Sequence, residues 1–374
     1  MTGLYIHIPF CVKKCPYCDF SSYDDILYLA DDYIECVLKE LKYYKNNFEI
    51  EYDTLFIGGG TPTVLTDKQL DSLFTGVYSM VERKKLKEIS IEINPESITD
   101  KKAKVLEANV NRVSMGCQSF HDKFLEKLCR IHSAQSIYNA YEILRKNNIK
   151  NINFDLMYGI EGQSTADVLH NIAEIIKLKP EHVSYYMLTV YNHTEFGRLS
   201  QSGEMTLPHD DVIEHMYERG ASALEEAGYK QYEISNFAMP GKQCRHNLNY
   251  WKPGEYTGIG SSASSYFQQA RYSNAEIPAE YMKKIKTGQD PAVFTEKIDE
   301  EKKKKDYIMM RLRTTEGLDY SEFKAIFKFD FQAKYSNIIG KLTAEGLARG
   351  TNTALSLTRK GFLISNEIIK HFFE

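Results

Sequence analysis

Three of the seven cysteines, Cys11, Cys15 and Cys18, fall within eight residues in the run Cys11-Val-Lys-Lys-Cys15-Pro-Tyr17-Cys18. With Cys36, Cys117, Cys129 and Cys244 scattered, such crowding reads as a metal site in a reducing compartment rather than a disulfide framework. The number of thiols narrows the metal. Structural zinc and a fully ligated iron-sulfur cube each take four ligands, whereas three thiolates hold three corners of a cube and leave one iron open to a further molecule. Zinc completed by His7 or Asp19 is the competing expectation.

A loop of this kind has to be held by regular elements. Strand-like runs at Leu4 to Phe10, Asp53 to Ile57, Glu88 to Ile93, Arg112 to Met115, Asn153 to Met157 and His182 to Val190 alternate with helix-length amphipathic runs, each opening near an Asp, Ser or Thr suited to capping. This alternation predicts an α/β fold, an incomplete (β/α)6-type barrel over residues 1–238, with the cysteine loop just past its first strand. Residues 239–298 are rich in Gly, Asn, Ser and Tyr and read as a loop-rich connecting segment. Residues 299–374 read as a small, mostly helical, winged-helix-like domain.

Composition sets outer limits. Among 374 residues, 47 Lys and Arg stand against 51 Asp and Glu, so no global field attracts nucleic acid, and no apolar run is long enough to span a bilayer. The C-terminal segment, with 14 Lys and Arg against 11 Asp and Glu, is too weakly basic to argue DNA binding. A cytoplasmic location is the expectation.

The cysteine spacing, with an aromatic residue (Tyr17) before the third cysteine, resembles the radical S-adenosylmethionine (SAM) superfamily. The resemblance implies a 4Fe-4S cluster on Cys11, Cys15 and Cys18 whose open iron chelates SAM. The glycine run of Leu55-Phe-Ile-Gly58-Gly59-Gly60-Thr61-Pro62, by itself a tight turn, then resembles the superfamily's SAM-binding glycine motif. Glu92, near a strand end, is either a solvated carboxylate or a partner for the ribose or ammonium of SAM. Asp155 interrupts an apolar strand and needs a partner, for which Arg130 is the structural candidate. Over nearly the whole chain the resemblance extends to the branch containing oxygen-independent coproporphyrinogen III oxidase and the HemW family of heme chaperones. There, Tyr5, Tyr17, Gly59, Gly60, Thr61, Glu92, Gln118, Arg130 and Asp155 match SAM-contacting positions, and Thr189 and Ser264 match more loosely.

Three features separate the two families. Phe20 stands where the oxidase carries a fourth cysteine. The cysteine loop begins at Cys11, leaving no room for the extension that helps cover the oxidase's substrate. His246-Asn-Leu-Asn-Tyr250-Trp251, which holds the only tryptophan, resembles the HNxxYW signature of the chaperones. Within that resemblance His246 is the candidate axial ligand of heme, with Tyr250 and Trp251 packing on the porphyrin. Outside it, His246 is a loop histidine bonded to backbone and Trp251 a core anchor. Cys244 is an alternative thiolate ligand or a buried free thiol. The implied role is a heme chaperone without oxidase activity, and therefore with no catalytic residue assigned, whose partners are heme, heme-accepting proteins such as respiratory enzymes, an electron or heme donor protein, and a second copy as a homodimer. The enzymatic alternative is a radical SAM oxidase or methyltransferase acting on a porphyrin.

Overall fold

A computed structural model describes residues 1–373. Strands β1 (Gly3–Ile8), β2 (Thr54–Gly59), β3 (Glu88–Ile93), β4 (Arg112–Gln118), β5 (Ile152–Tyr158) and β6 (His182–Met187) run parallel and side by side in chain order. The crossovers are helices α1 (Ala30–Asn47), α2 (Asp67–Tyr78), α3 (Asp100–Asn109), the pair α4 (Asp122–Lys127) and α5 (Ala134–Lys146), and α6 (Thr165–Leu178). Capping boxes at Thr66, Ser133 and Ser164 start α2, α5 and α6 at the positions where the sequence offers them.

The two faces of this sheet differ in chemistry. Leu4, Ile6 and Ile8 of β1, Leu55 and Ile57 of β2, and Ile89, Ile91 and Ile93 of β3 join Val37, Leu41, Leu73 and Phe74 of the helices in the main core. With a side-chain period of two, the intervening residues share the other face, and the register pairs Tyr5 with Phe56, Glu92 with Ser114, Gly116 with Asp155 and Asp155 with Ser184. One face is therefore hydrocarbon and the other carries the polar groups. Strand β6 ends at Met187, short of the expected Val190, and the chain runs through residues 188–194 into α7 (Glu195–Ser202) and then α8 (Asp210–Glu226). Short strands β8 (Asn236–Ala238), antiparallel to β6, and β7 (Lys230–Gln231), antiparallel to β8, finish that edge.

The expected loop-rich connector at 239–298 is corrected by the structure. It contains α9 (Arg245–Trp251), β9 (Tyr256–Ile259), β10 (Ser264–Phe267), β11 (Ala270–Asn274), α10 (Pro278–Thr287) and β12 (Ala292–Lys297). Strand β9 lies parallel to β1, and β10 to β12 extend the sheet antiparallel, for twelve strands among the described residues. The barrel domain thus continues past residue 238. Buried Glu40 of α1 bolts it down, accepting hydrogen bonds from Gly260 N (2.9 Å), Asn274 Nδ2 (2.7 Å) and Tyr281 Oη (2.6 Å).

The C-terminal domain comprises α11 (Glu300–Arg311), β13 (Leu318–Asp319), α12 (Tyr320–Phe327), α13 (Phe331–Lys334), α14 (Ser336–Ala344), β14 (Ala348–Gly350), β15 (Ala354–Leu357), α15 (Arg359–Leu363) and α16 (Ser365–Lys370). Its three-stranded antiparallel sheet and helices enclose a separate core around Phe323, Phe327, Phe331 and Phe372. It leans on the barrel through the Arg359–Glu225 (2.6 Å) and Arg271–Asp306 (2.7 Å) ion pairs and the Ile234 N to Arg313 O hydrogen bond (2.9 Å).

Candidate functional site

The loop carrying the three cysteines leaves β1 at Phe10, whose ring is anchored in the core, and returns through the Tyr23 N to Pro9 O (2.8 Å) and Cys11 N to Tyr23 O (2.9 Å) hydrogen bonds. Cys18 N donates to Cys15 O (3.0 Å), turning the loop so that all three thiols line one cavity of about 480 Å³. Burial pushes the Cys11 and Cys18 thiols above their usual pKa. Neither fourth zinc ligand is in place. His7 Nε2 pairs with the Ser21 carbonyl (2.9 Å), its Nδ1 with Tyr5 Oη (3.0 Å), and Asp19 lies against His193 (2.7 Å). Among the described residues, no three His, Cys, Asp or Glu side chains gather as a single metal ion requires, whereas a cube spreads its cysteines farther apart.

Around the same cavity stand Tyr17, Gly59, Gly60, Thr61, Glu92, Gln118, Arg130, Asp155 and Thr189, brought from β2 to β5 and the loops that follow β1 to β6. Gly59 has φ +117, and its N–H donates to Glu92 Oε2 (3.0 Å). A Cβ on Gly60 would lie 2.5 Å from Phe10 O and 2.9 Å from Cys11 Sγ, so only glycine lets this backbone pass the cysteine loop. Glu92 is not a solvated carboxylate. Burial, with the Asp155 charge nearby, raises it to about 7.

Asp155 is also pushed up by burial and is held by Asn153 Nδ2 (2.7 Å) and Ser114 Oγ (3.4 Å). The expected Asp155–Arg130 pair does not form. Arg130 instead donates to Asn94 Oδ1 (2.6 Å), Gly116 O (3.2 Å) and Cys15 Sγ (3.6 Å), bringing a cation against a thiol. Gln118, buried with φ +63, accepts from Tyr186 Oη (3.0 Å). A non-glycine residue in the left-handed region costs energy that the surrounding contacts must offset.

Sequence reasoning missed Asn94, Gly116 and Tyr186. Asn94 joins Arg130 to Thr61 Oγ1 (2.9 Å), and a Cβ on Gly116 would crowd Asn94 Oδ1 at 2.8 Å. The Asn-Pro pair closing β3 was their one visible signal. Two expected SAM positions stand apart from the cysteines. Tyr5 lines an adjoining cavity of about 300 Å³ with Glu92, Gly59 and Arg112, and Ser264 lines a third beside Tyr5 and Phe20.

The His246 motif forms α9, which plugs the amino-terminal end of the barrel. Glu88, first residue of β3, accepts from Cys244 Sγ (3.3 Å), Arg245 N (2.8 Å) and His246 N (3.1 Å), satisfying the exposed start of that helix. His246 itself is 1% exposed, its Nδ1 paired with Thr54 Oγ1 and its Nε2 with Tyr250 Oη, both at 2.8 Å. Burial, with Arg112 nearby, lowers its pKa to about 3. Both ring nitrogens of His246 are thus hydrogen-bonded to side-chain hydroxyls, and the ring lines the same cavity as Tyr5 and Tyr250. Trp251 is half-buried rather than a core anchor, and Cys244 is a buried thiol.

A chain with this parallel half-barrel and three-thiol cavity falls in a defined class. The model of the radical SAM superfamily matches residues 5–175, and that of the HemN C-terminal domain matches residues 298–364. Coproporphyrinogen III oxidase (HemN) of Escherichia coli has the same fold, with a TM-score of 0.86 over 99% of this chain and 89% of that one at 21% identity. The heme chaperone HemW of Lactococcus lactis is 34% identical over 98% of this chain and 96% of its own length. The heme chaperone HemW of Bacillus subtilis is 34% identical over 100% and 99%. The chain belongs to the HemW family.

A radical SAM protein implies a 4Fe-4S cluster and SAM, and the residues fit both. Three thiols without a fourth ligand leave an iron corner open, and two half-buried carboxyls, an arginine and backbone N–H groups face the same cavity.

Proposed function

We propose that the protein is a cytoplasmic heme chaperone. In this reading it holds a 4Fe-4S cluster through Cys11, Cys15 and Cys18 and SAM through the residues around the same cavity, and delivers heme to acceptor proteins such as respiratory enzymes, with no conversion of coproporphyrinogen III. The cluster, when bound and reduced, supplies an electron to the sulfonium of SAM. The chain's own residues position the nucleotide. Glu92 and Asp155 offer acceptors for its ammonium and ribose hydroxyls, Arg130 offers a donor for its carboxylate beside Cys15, and Gln118 is held by Tyr186 for a polar edge. Tyr17 packs toward Phe196 (6.0 Å between ring centroids) and shields one wall from water.

The observation that carries the choice of chaperone over oxidase is Phe20. It is 64% exposed at the edge of the cysteine cavity, where the oxidase has a thiol, and its ring can neither ligate metal nor move a proton. The test is anaerobic reconstitution of the full chain with iron and sulfide, followed by two assays. Hemin titration is expected to give a saturable Soret shift, and incubation with coproporphyrinogen III, SAM and reductant is expected to yield no protoporphyrinogen IX. Turnover to protoporphyrinogen would replace this proposal with the oxidase.

A further inference from the structure

Arg112, first residue of β4, shares the polar face of the sheet with Ser114 and Gly116. It is 2% exposed, yet among the described residues its guanidinium forms no hydrogen bond and no ion pair, and its Nε is sealed from solvent without a partner. A buried cation is costly unless an anion meets it. The neighbouring carboxyl groups are engaged elsewhere. Glu88 accepts from Ser90 Oγ and from the start of α9, and Asp155 accepts from Asn153 Nδ2 and Ser114 Oγ. Burial also moves Glu92 and Asp155 toward their protonated forms, which withdraws counter-charge from the arginine.

The guanidinium lines the cavity of about 300 Å³ whose walls include Tyr5, Phe20, Phe56, His246 and Tyr250. Among the described residues, Arg112 is the only arginine or lysine in those walls, and no thiol joins them. A guanidinium presents paired N–H donors that match a carboxylate. The proposed function offers two such groups, the carboxylate of SAM and the propionates of heme. The first has an arginine of its own, Arg130, beside Cys15 in the cysteine cavity. The second suits a space with aromatic walls.

From this unpaired, buried guanidinium facing an aromatic cavity we infer that Arg112 is the receptor for a propionate of the heme cargo, taken up inside the barrel among Tyr5, Phe56 and Tyr250. The inference rests on the heme-chaperone reading above and adds the group that recognises the cargo's carboxylate. Tyr5, Phe20 and Tyr250 also line the neighbouring cavity of about 390 Å³, which continues toward Tyr256 and Ser264. The two spaces together reach the size of ordinary cofactor pockets, so a macrocycle edge rests in the outer one while one arm enters the inner one. His246 lines that inner space as well, which sets the candidate iron ligand and the propionate receptor around one chamber.

The test uses the full chain with its cluster reconstituted anaerobically, titrated with hemin and with hemin dimethyl ester, which has no free carboxylate, and followed by the Soret band. SAM binding is measured by calorimetry. Circular dichroism and iron and sulfide counts check that each variant is folded and loaded. The wild type is expected to bind the ester at least about tenfold more weakly than hemin (about 1.4 kcal/mol), a comparison that needs no variant. Arg112→Met is expected to weaken hemin binding by a similar factor with the Soret position kept, and to leave affinity for the ester unchanged. Arg112→Lys is expected to recover part of the hemin affinity. Equal wild-type affinity for hemin and ester, equal losses of both in Arg112→Met, or loss of SAM binding with hemin binding kept would each overturn the assignment while leaving the chaperone reading intact. Absence of saturable hemin binding by the wild type would overturn both.

Discussion

Arg130 is the residue on which the cavity's electrostatics turn. Its guanidinium bridges Asn94, the Gly116 carbonyl and the Cys15 sulfur, so a substitution removes a cation from beside the cluster ligands and leaves Asn94 Oδ1 without its donor. Arg130→Ala is expected to weaken SAM binding to the reconstituted protein by about 2 kcal/mol, roughly thirtyfold, measured by calorimetry. Arg130→Lys keeps the charge but not the fork and should restore only part of it. His246 belongs to a different category. Its ring bridges Thr54 and Tyr250 in the closed end of the barrel, and His246→Ala is expected to lower stability by about 2–4 kcal/mol in denaturant titration, from lost packing and two orphaned hydroxyls.

At the scale of elements, Glu40 joins α1 to the turn after β9, to β11 and to α10. Burial raises its pKa from 4.5 to about 7. The folded state therefore holds this proton more tightly than the unfolded chain. Its contribution is fully present below pH 4.5, declines as pH rises from 4.5 to about 7, and is lost above. The decline amounts to about 3 kcal/mol. Glu40→Gln keeps a neutral acceptor in the same place, so its stability relative to the wild type should rise between pH 5 and pH 8. A difference that stays flat across that window would show that the three donors already satisfy the carboxylate when ionised.

At the scale of the molecule, two cores meet across ion pairs and a few backbone hydrogen bonds. The C-terminal core is aromatic and its own, with Phe331 packed between Tyr335 and Phe372 at ring-centroid distances of 4.8 Å and 5.3 Å. Phe331→Ala is expected to remove about 3–5 kcal/mol from that domain. Scanning calorimetry should then resolve a lower-temperature transition while the cluster's absorbance, which depends on the barrel, is unchanged to higher temperature.

What the chain determined by itself is its local chemistry. The spacing of Cys11, Cys15 and Cys18, the glycines after β2 and the alternation of strand and helix runs are short-range patterns, and they located the parallel strands to within a few residues and the residues that meet at one cavity. The period of two along β1 to β5 even encodes which face is polar. Tertiary structure alone decided the rest. Residues 239–298 lack that periodicity, because β9 to β12 are short and their place is supplied by the pairing of β9 with β1 and by Glu40, which lies 220 residues from Gly260 and 234 from Asn274. Whether Arg130 pairs with Asp155 or with Asn94 depends on distances across the barrel that no spacing records. The same holds for the two histidines. His246 sits in a conspicuous motif yet is enclosed by Thr54 and Tyr250, while His193, in no motif, is exposed beside Asp19. Exposure and hydrogen-bond partners are properties of packing, and packing is settled by residues remote in the chain.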